Sequence, residues 1–265
     1  MFLLTTPGRQ LLDRLEINAE RMQHRAAFSA GKTLSGTPDL ADLDGRLAAK
    51  GLAQGDPVFI RIYKLESKLE LWMQKGDDYV LFATYPVCFW SGRLGPKLQE
   101  GDLQAPEGYY TVAQAQLNPN SRWYRSFNLG FPNRFDQAKG RTGSYLMVHG
   151  GCSSIGCYAM TNDVVGEIWT LITAALDAGQ ARFAVMALPF QMSEKNLERR
   201  KGYPWARFWA DLKKGSNLFD KTHIPPRASV CEGRYVFAPG RIGEAVPEVE
   251  ESCPGSLAAN WDRTE

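Results

Sequence analysis

Between residues 57 and 148 the chain is written in short β-branched and aromatic runs cut by turn signals, and this restricts the fold more than any other feature. Residues 58–63, 69–73 and 79–82 are such runs, separated by Lys, Glu and Ser and by Gly76-Asp77-Asp78. Branched and aromatic side chains fit a pleated surface, and Gly-Asp clusters supply turn backbone, so the three predict an antiparallel meander. Further extended runs are 108–112, after Ala105-Pro106-Glu107, then 144–148, which leads straight into His149, and 183–188.

Helical patterning flanks this block. Apolar Leu11, Leu12, Leu15 and Met22 recur at helical spacing after Pro7, and a Gly/Ser/Thr/Pro-rich break at 31–38 precedes a shorter helix over 39–50 ended by Gly51. These helices are expected to be an appendage that either packs on the main domain or tethers it. Thr161-Asn162-Asp163 is an N-cap cluster opening a helix with Val164, Ile168, Leu171, Ile172 and Leu176 at three- and four-residue steps. Residues 193–219 read as helical with breaks at Gly202 and Pro204, and residues past about 239 as a loose acidic tail. The expected organisation is a helical extension over 1–55, a catalytic domain over 56–220 and a C-terminal extension over 221–265.

A chain of 265 residues buries roughly 70–75% of its unfolded surface, enough for a core without disulfides or a structural metal. Thirty-one Lys and Arg stand against 29 Asp and Glu, a net +2, which excludes the basic excess that nucleic acid requires. The longest apolar candidates, 81–90 and 183–190, fall far short of a bilayer span, and Met1-Phe2-Leu3-Leu4 lacks the basic region of a secretory signal.

Of three histidines, His24, His149 and His223, only His149 sits in a chemically loaded segment: Val148-His149-Gly150-Gly151-Cys152-Ser153-Ser154-Ile155-Gly156-Cys157. A thiol reacts as thiolate, and an adjacent imidazole supplies the base it needs. Gly156 lets backbone approach a carbonyl closely, and consecutive N–H groups around Cys157 are candidates for an oxyanion hole. Three structural readings compete: a small buried cysteine, a zinc set from His149, Cys152 and Cys157, and a Cys152–Cys157 disulfide.

Residues 145–160, a strand into His-Gly, a short Gly/Ser loop and then Ser-x-Gly-Cys, resemble the catalytic motif of the L,D-transpeptidases, cysteine enzymes acting on peptidoglycan. Tyr85-Pro86-Val87-Cys88, Trp90-Ser91-Gly92, Leu94-Gly95-Pro96-Lys97, Ala105-Pro106-Glu107-Gly108-Tyr109-Tyr110 and Phe127-Asn128-Leu129-Gly130-Phe131-Pro132-Asn133 are similar to the branch containing the amidase that releases the outer-membrane lipoprotein from murein. The resemblance spans roughly residues 56–215. Two departures stand out: Ser154 follows His149 by only five positions, and Ile155 stands where most members carry a second histidine. The Arg or Asn common after the cysteine is also missing, Ala159 lying near that position.

The resemblance implies an α+β fold, mainly a β sandwich with peripheral helices, no cofactor and no metal, and a periplasmic location. It implies Cys157 as nucleophile, His149 as base and the Gly150 carbonyl as the group orienting the imidazole. Gly156, Tyr158 and Ser154 would shape the oxyanion loop. Peptidoglycan stem peptides are the implied partners, with a murein-anchored outer-membrane protein as a further one and a non-catalytic murein-binding module as the alternative. Stem carboxylates suit guanidinium groups, so Arg141, Arg93, Arg134 and Lys97, with Tyr145, are the substrate-binding candidates. Tyr109, Tyr110, Trp123 and Tyr124 either line a groove or belong to the core.

Overall fold

The structure, a computed structural model, describes residues 5–253. Helices α1 (Thr6–Ser29) and α2 (Leu43–Lys50) precede β1 (Val58–Tyr63), β2 (Lys68–Lys75), β3 (Asp78–Pro86) and β4 (Phe89–Trp90). Then come β5 (Gly108–Ala113), β6 (Leu117–Asn118), β7 (Ser126–Asn128), α3 (Arg134–Ala138), β8 (Met147–His149), β9 (Tyr158–Ala159), α4 (Asn162–Asp177) and β10 (Arg182–Leu188). The chain closes with α5 (Glu194–Arg199), α6 (Ala206–Thr222), β11 (Arg227–Cys231), β12 (Arg234–Ala238) and β13 (Glu250–Glu251). No helix among the described residues is long and apolar enough to cross a membrane.

The meander forms as its residue pattern dictates, β1 pairing antiparallel with β2 and β2 with β3. β10 adds in parallel beside β1 and β5 antiparallel beside β10, giving a five-stranded sheet in the order β3-β2-β1-β10-β5. Every residue of β1 is buried, as expected of a strand covered on both faces. Phe59 of β1 meets Phe219 of α6 at 4.6 Å, Trp72 of β2 meets the same ring at 4.9 Å, and α4 packs against β1 and β10. A second sheet, ordered β4-β9-β8-β7-β6, abuts the first where Phe127 of β7 meets Phe183 of β10 edge-on at 5.6 Å. Strands 144–148 of the sequence reading shorten to Met147–His149, because Tyr145 takes a left-handed φ of 54° and turns the chain.

The N-terminal helices pack rather than dangle, and α1 uses a face that its apolar spacing does not mark. Leu11, Leu15 and Met22 are exposed, while Asp13, Ile17 and His24 are buried. Polar anchors decide this. Asp13 receives Arg200 at 2.8 Å through two donors and Tyr203 at 2.5 Å, and His24 Nδ1 meets the Val87 carbonyl at 3.0 Å. Arg21 lies 4.1 Å over the Trp90 ring and donates to the Gly92 carbonyl at 2.9 Å.

The tail expected past residue 239 is ordered as far as it is described. β13 pairs with β11, Ser252 N–H donates to the Val230 carbonyl at 2.8 Å, and Cys231 bonds Cys253. Ion pairs Arg182–Glu248 and Arg134–Glu251 fasten its acidic residues, so pairing and cross-linking hold a segment with little apolar content of its own. The rest of that expectation, residues 254–265, and the N-terminal Met1-Phe2-Leu3-Leu4 lie outside the described residues.

Candidate active site

His149 ends β8 and Cys157 precedes β9, and these two strands run parallel side by side, Val148 opposite Tyr158 and His149 opposite Ala159. Strand pairing therefore brings imidazole and thiol to the same end of one sheet. Both line a cavity of about 440 Å³ shared with Lys97, Arg122, Trp123 and Tyr145.

The histidine is held tightly. It is 2% exposed, its Nδ1 meets the Gly150 carbonyl at 2.6 Å, and the Trp123 indole stacks on it at 5.8 Å with 29° between planes. A carbonyl only accepts, so Nδ1 carries the hydrogen and Nε2 is left to take a proton. Gly150 and Gly151 are required by close approach: a Cβ on Gly150 would lie 2.5 Å from Asn162 Oδ1, and one on Gly151 2.8 Å from the Trp123 ring. The start of α4 supports this turn, since Asn162 Oδ1 accepts the Gly151 N–H at 3.0 Å.

The loop from Cys152 to Cys157 is set by side-chain hydroxyls. Ser154 Oγ accepts the Cys157 N–H at 2.6 Å and donates to the Cys157 carbonyl at 2.8 Å. Ser91 Oγ, just past β4, accepts the Gly156 N–H at 2.8 Å and donates to Ser154 Oγ at 3.0 Å. The N–H groups expected to face an oxyanion are thus occupied by serine hydroxyls. Tyr158 is a core residue, its hydroxyl donating to the Pro106 carbonyl at 2.6 Å.

Cys152 bonds Cys88, which overturns both the Cys152–Cys157 disulfide and the zinc set that needed Cys152 as a thiolate. Sequence separation hid this pairing: the partners lie 64 residues apart. Cys157 is the free cysteine. Its Sγ accepts the Met147 N–H at 3.3 Å and donates to the Tyr145 carbonyl at 3.6 Å. Burial pushes the thiol up, the Met147 N–H and the Lys97 charge opposing. Burial likewise pushes His149 down, the Gly150 carbonyl opposing it and Arg122 reinforcing it. Both shifts favour a neutral resting pair, a thiol on Cys157 and an uncharged imidazole on His149.

The cation candidates separate. Lys97 lies in the cavity wall, its Nζ bound to Asp102 at 2.6 Å and to the Gln99 carbonyl at 2.9 Å. Arg141 is buried, paired with Asp136 at 2.7 Å and lying 5.1 Å from the Phe135 ring and 4.9 Å from the Phe208 ring, so it is a structural cation. Arg93 faces another groove, alongside Arg14 and Asn18 of α1, and Arg134 pairs with Glu251 at 2.5 Å. Tyr145 is exposed at the cavity mouth, Tyr124 is exposed outside the cavity lining, and Tyr109 and Tyr110 are core. Ser91, known from the sequence only as part of Trp90-Ser91-Gly92, and Arg122 join the site from outside the His149–Cys157 segment, and the Arg122-Trp123-Tyr124-Arg125 cluster is the sequence signal for the second.

The Pro106-Glu107-Gly108 segment braces the chain on the N-terminal side of Lys97. Glu107, fully buried, accepts Lys64 Nζ at 3.0 Å, the Gly95 N–H at 2.7 Å and the Trp209 indole N–H at 2.8 Å. These bonds hold the loop that carries Lys97.

The L,D-transpeptidase catalytic domain (YkuD) matches residues 57–186, which include His149 and Cys157. YafK of Escherichia coli K12, whose name places it among the L,D-transpeptidases, is 47% identical over 184 residues, covering 69% of this chain and 75% of that protein. YafK of strain O157:H7 matches to the same extent. Among solved structures, the helical cell shape determining protein Pgp2 of Campylobacter jejuni aligns with 19% identity and a TM-score of 0.41, over 66% of each chain. Bd1075 of Bdellovibrio bacteriovorus aligns with 16% identity and a TM-score of 0.36, over 63% of this chain and 72% of its own. The domain match and the identity to YafK place this chain in the L,D-transpeptidase family.

Proposed function

We propose that the chain is a peptidoglycan-acting cysteine acyltransferase working through Cys157. His149 Nε2 takes the thiol proton as Sγ attacks the carbonyl at the diaminopimelate residue of a stem peptide. The C–N bond breaks, the amine leaves with the proton from the imidazolium, and a thioester remains on Cys157. Water or a second amine then attacks the thioester, returns its proton through His149 and frees the thiol. With water the outcome is an amidase releasing a murein-anchored protein or opening a cross-link. With an amine it is a transpeptidase.

One observation carries this reading: the one cysteine outside the two disulfides shares a cavity with a histidine whose Nδ1 is committed to the Gly150 carbonyl. Two disulfides also suit a chain matured in an oxidising compartment, which for a peptidoglycan enzyme is the periplasm.

The test is mass spectrometry of murein, with and without covalently attached protein, after incubation with the wild type and with Cys157→Ala. Loss of protein-bound or cross-linked stems with the wild type alone identifies a hydrolase; new cross-links or amine-exchanged stems identify a transpeptidase. Identical products from the two proteins would overturn the proposal in favour of a murein-binding module.

A further inference from the structure

Two cations border the cavity beside Cys157, and they are not equivalent. Lys97 is 4% exposed and already neutralised by Asp102. Arg122 is exposed and has no ion pair or hydrogen bond among the described residues. Its guanidinium lies 5.4 Å from the centre of the Trp123 ring, and that ring is stacked on His149. A planar guanidinium resting on an aromatic face keeps its forked N–H donors in a defined plane, and those donors suit a carboxylate bidentately.

Building on the acyl-transfer reading above, we propose that Arg122 is the carboxylate receptor of this cleft, pairing with the free side-chain carboxylate of the diaminopimelate residue whose other carboxyl is attacked by Cys157. Three contacts in line then set the register of the substrate: carboxylate on Arg122, Arg122 over Trp123, Trp123 on His149. A substrate seated on Arg122 is placed beside the imidazole that serves Cys157. The pairing also neutralises the one uncompensated charge that bears on His149, since the Arg122 cation disfavours a proton on the ring and a bound carboxylate relieves that.

The experiment uses two synthetic stem peptides, one with the diaminopimelate side-chain carboxylate free and one with it amidated, and the proteins wild type, Arg122→Gln and Arg122→Lys. A charge-assisted pair contributes about 1.5–3 kcal/mol, so the wild type should favour the free carboxylate in kcat/KM roughly ten- to hundredfold. Arg122→Gln should turn over both peptides at the wild type's amidated-peptide rate, and Arg122→Lys should recover part of the preference. The melting temperature of Arg122→Gln should stay close to the wild type's, because among the described residues the side chain makes no ion pair or hydrogen bond and only its contact with the Trp123 ring is lost. A variant that still prefers the free carboxylate as strongly as the wild type overturns the proposal.

Calorimetry of the same peptides on Cys157→Ala and on Cys157→Ala with Arg122→Gln separates the two readings. Carboxylate-dependent binding lost with Arg122 upholds the receptor even where no acyl transfer is found. Binding indifferent to amidation refutes the receptor even where acyl transfer proceeds.

Discussion

The two five-stranded sheets are built on opposite principles. The sheet of β1, β2, β3, β5 and β10 has strands of six to nine residues and is held by paired ladders and apolar side chains such as Phe59, Ile60 and Leu71, all fully buried. The sheet that carries His149 has strands of two or three residues. Ladders that short cannot position a loop, and the work passes to Ser91, Ser154, Asn162 and the Cys88–Cys152 bond. Stability resides in one sheet and site geometry in the other.

That separation can be broken by mutation. Phe59→Ala should have the largest effect on stability, about 3–5 kcal/mol for a buried aromatic reduced to alanine. Below its lowered melting temperature the alkylation rate of Cys157 should match the wild type; a changed rate would mean the sheets are not independent. Next comes the pair Cys88→Ala with Cys152→Ala, costing about 2–4 kcal/mol. Here turnover should fall at temperatures where circular dichroism still reports a folded chain, whereas Cys231→Ala with Cys253→Ala should lower stability and spare turnover. Equal effects of the two pairs on turnover would contradict the assignment of Cys88–Cys152 to the site.

Ser154→Ala removes the acceptor for the Cys157 N–H and should cost about 1–3 kcal/mol, with a lower kcat as the clearer reading. Ser154→Thr keeps the hydroxyl and should restore much of it. The smallest expected effect is on pH dependence. Burial raises the Cys157 thiol, so its alkylation should titrate above the ordinary thiol value of about 8.5. Replacing Lys97 with Met, which removes the opposing cation, should move the midpoint further up. For His149 the sign is the other way. Its folded value is lowered, so its contribution to stability is present above the unfolded value of about 6.5 and is lost as pH falls through the folded one. Thermal melts against pH should show that loss in the wild type and lack it in His149→Gln.

The same division explains what could be read in the sequence. The 58–63 run is β1 to the residue, Thr161 is the N-cap of α4, and Gly51 ends α2 in the left-handed conformation, because each rests on local chemistry. The family and the His149–Cys157 segment were legible for the same reason. Strands of two or three residues carry no period, so β4, β6, β7 and β9 had no signature. The buried face of α1 depends on Arg200 and Val87, far along the chain, and apolar spacing pointed to the wrong side. The fates of Lys97 and Arg141 were settled by Asp102 and Asp136, carboxylates that no spacing rule ties to them.

The bond between Cys88 and Cys152 lies under Leu34, with Ala27 of α1 packed alongside, and neither sulfur-bearing residue is more than 3% exposed. Burial of this kind imposes an order of assembly. The oxidant must reach both thiols while the 31–38 segment is still open, and once Leu34 settles no soluble thiol can attack without first lifting the N-terminal helix. The loop behind His149 is thus locked during maturation and then sealed from the redox state of its surroundings, whereas the Cys231–Cys253 bond, with Cys253 exposed, stays open to exchange.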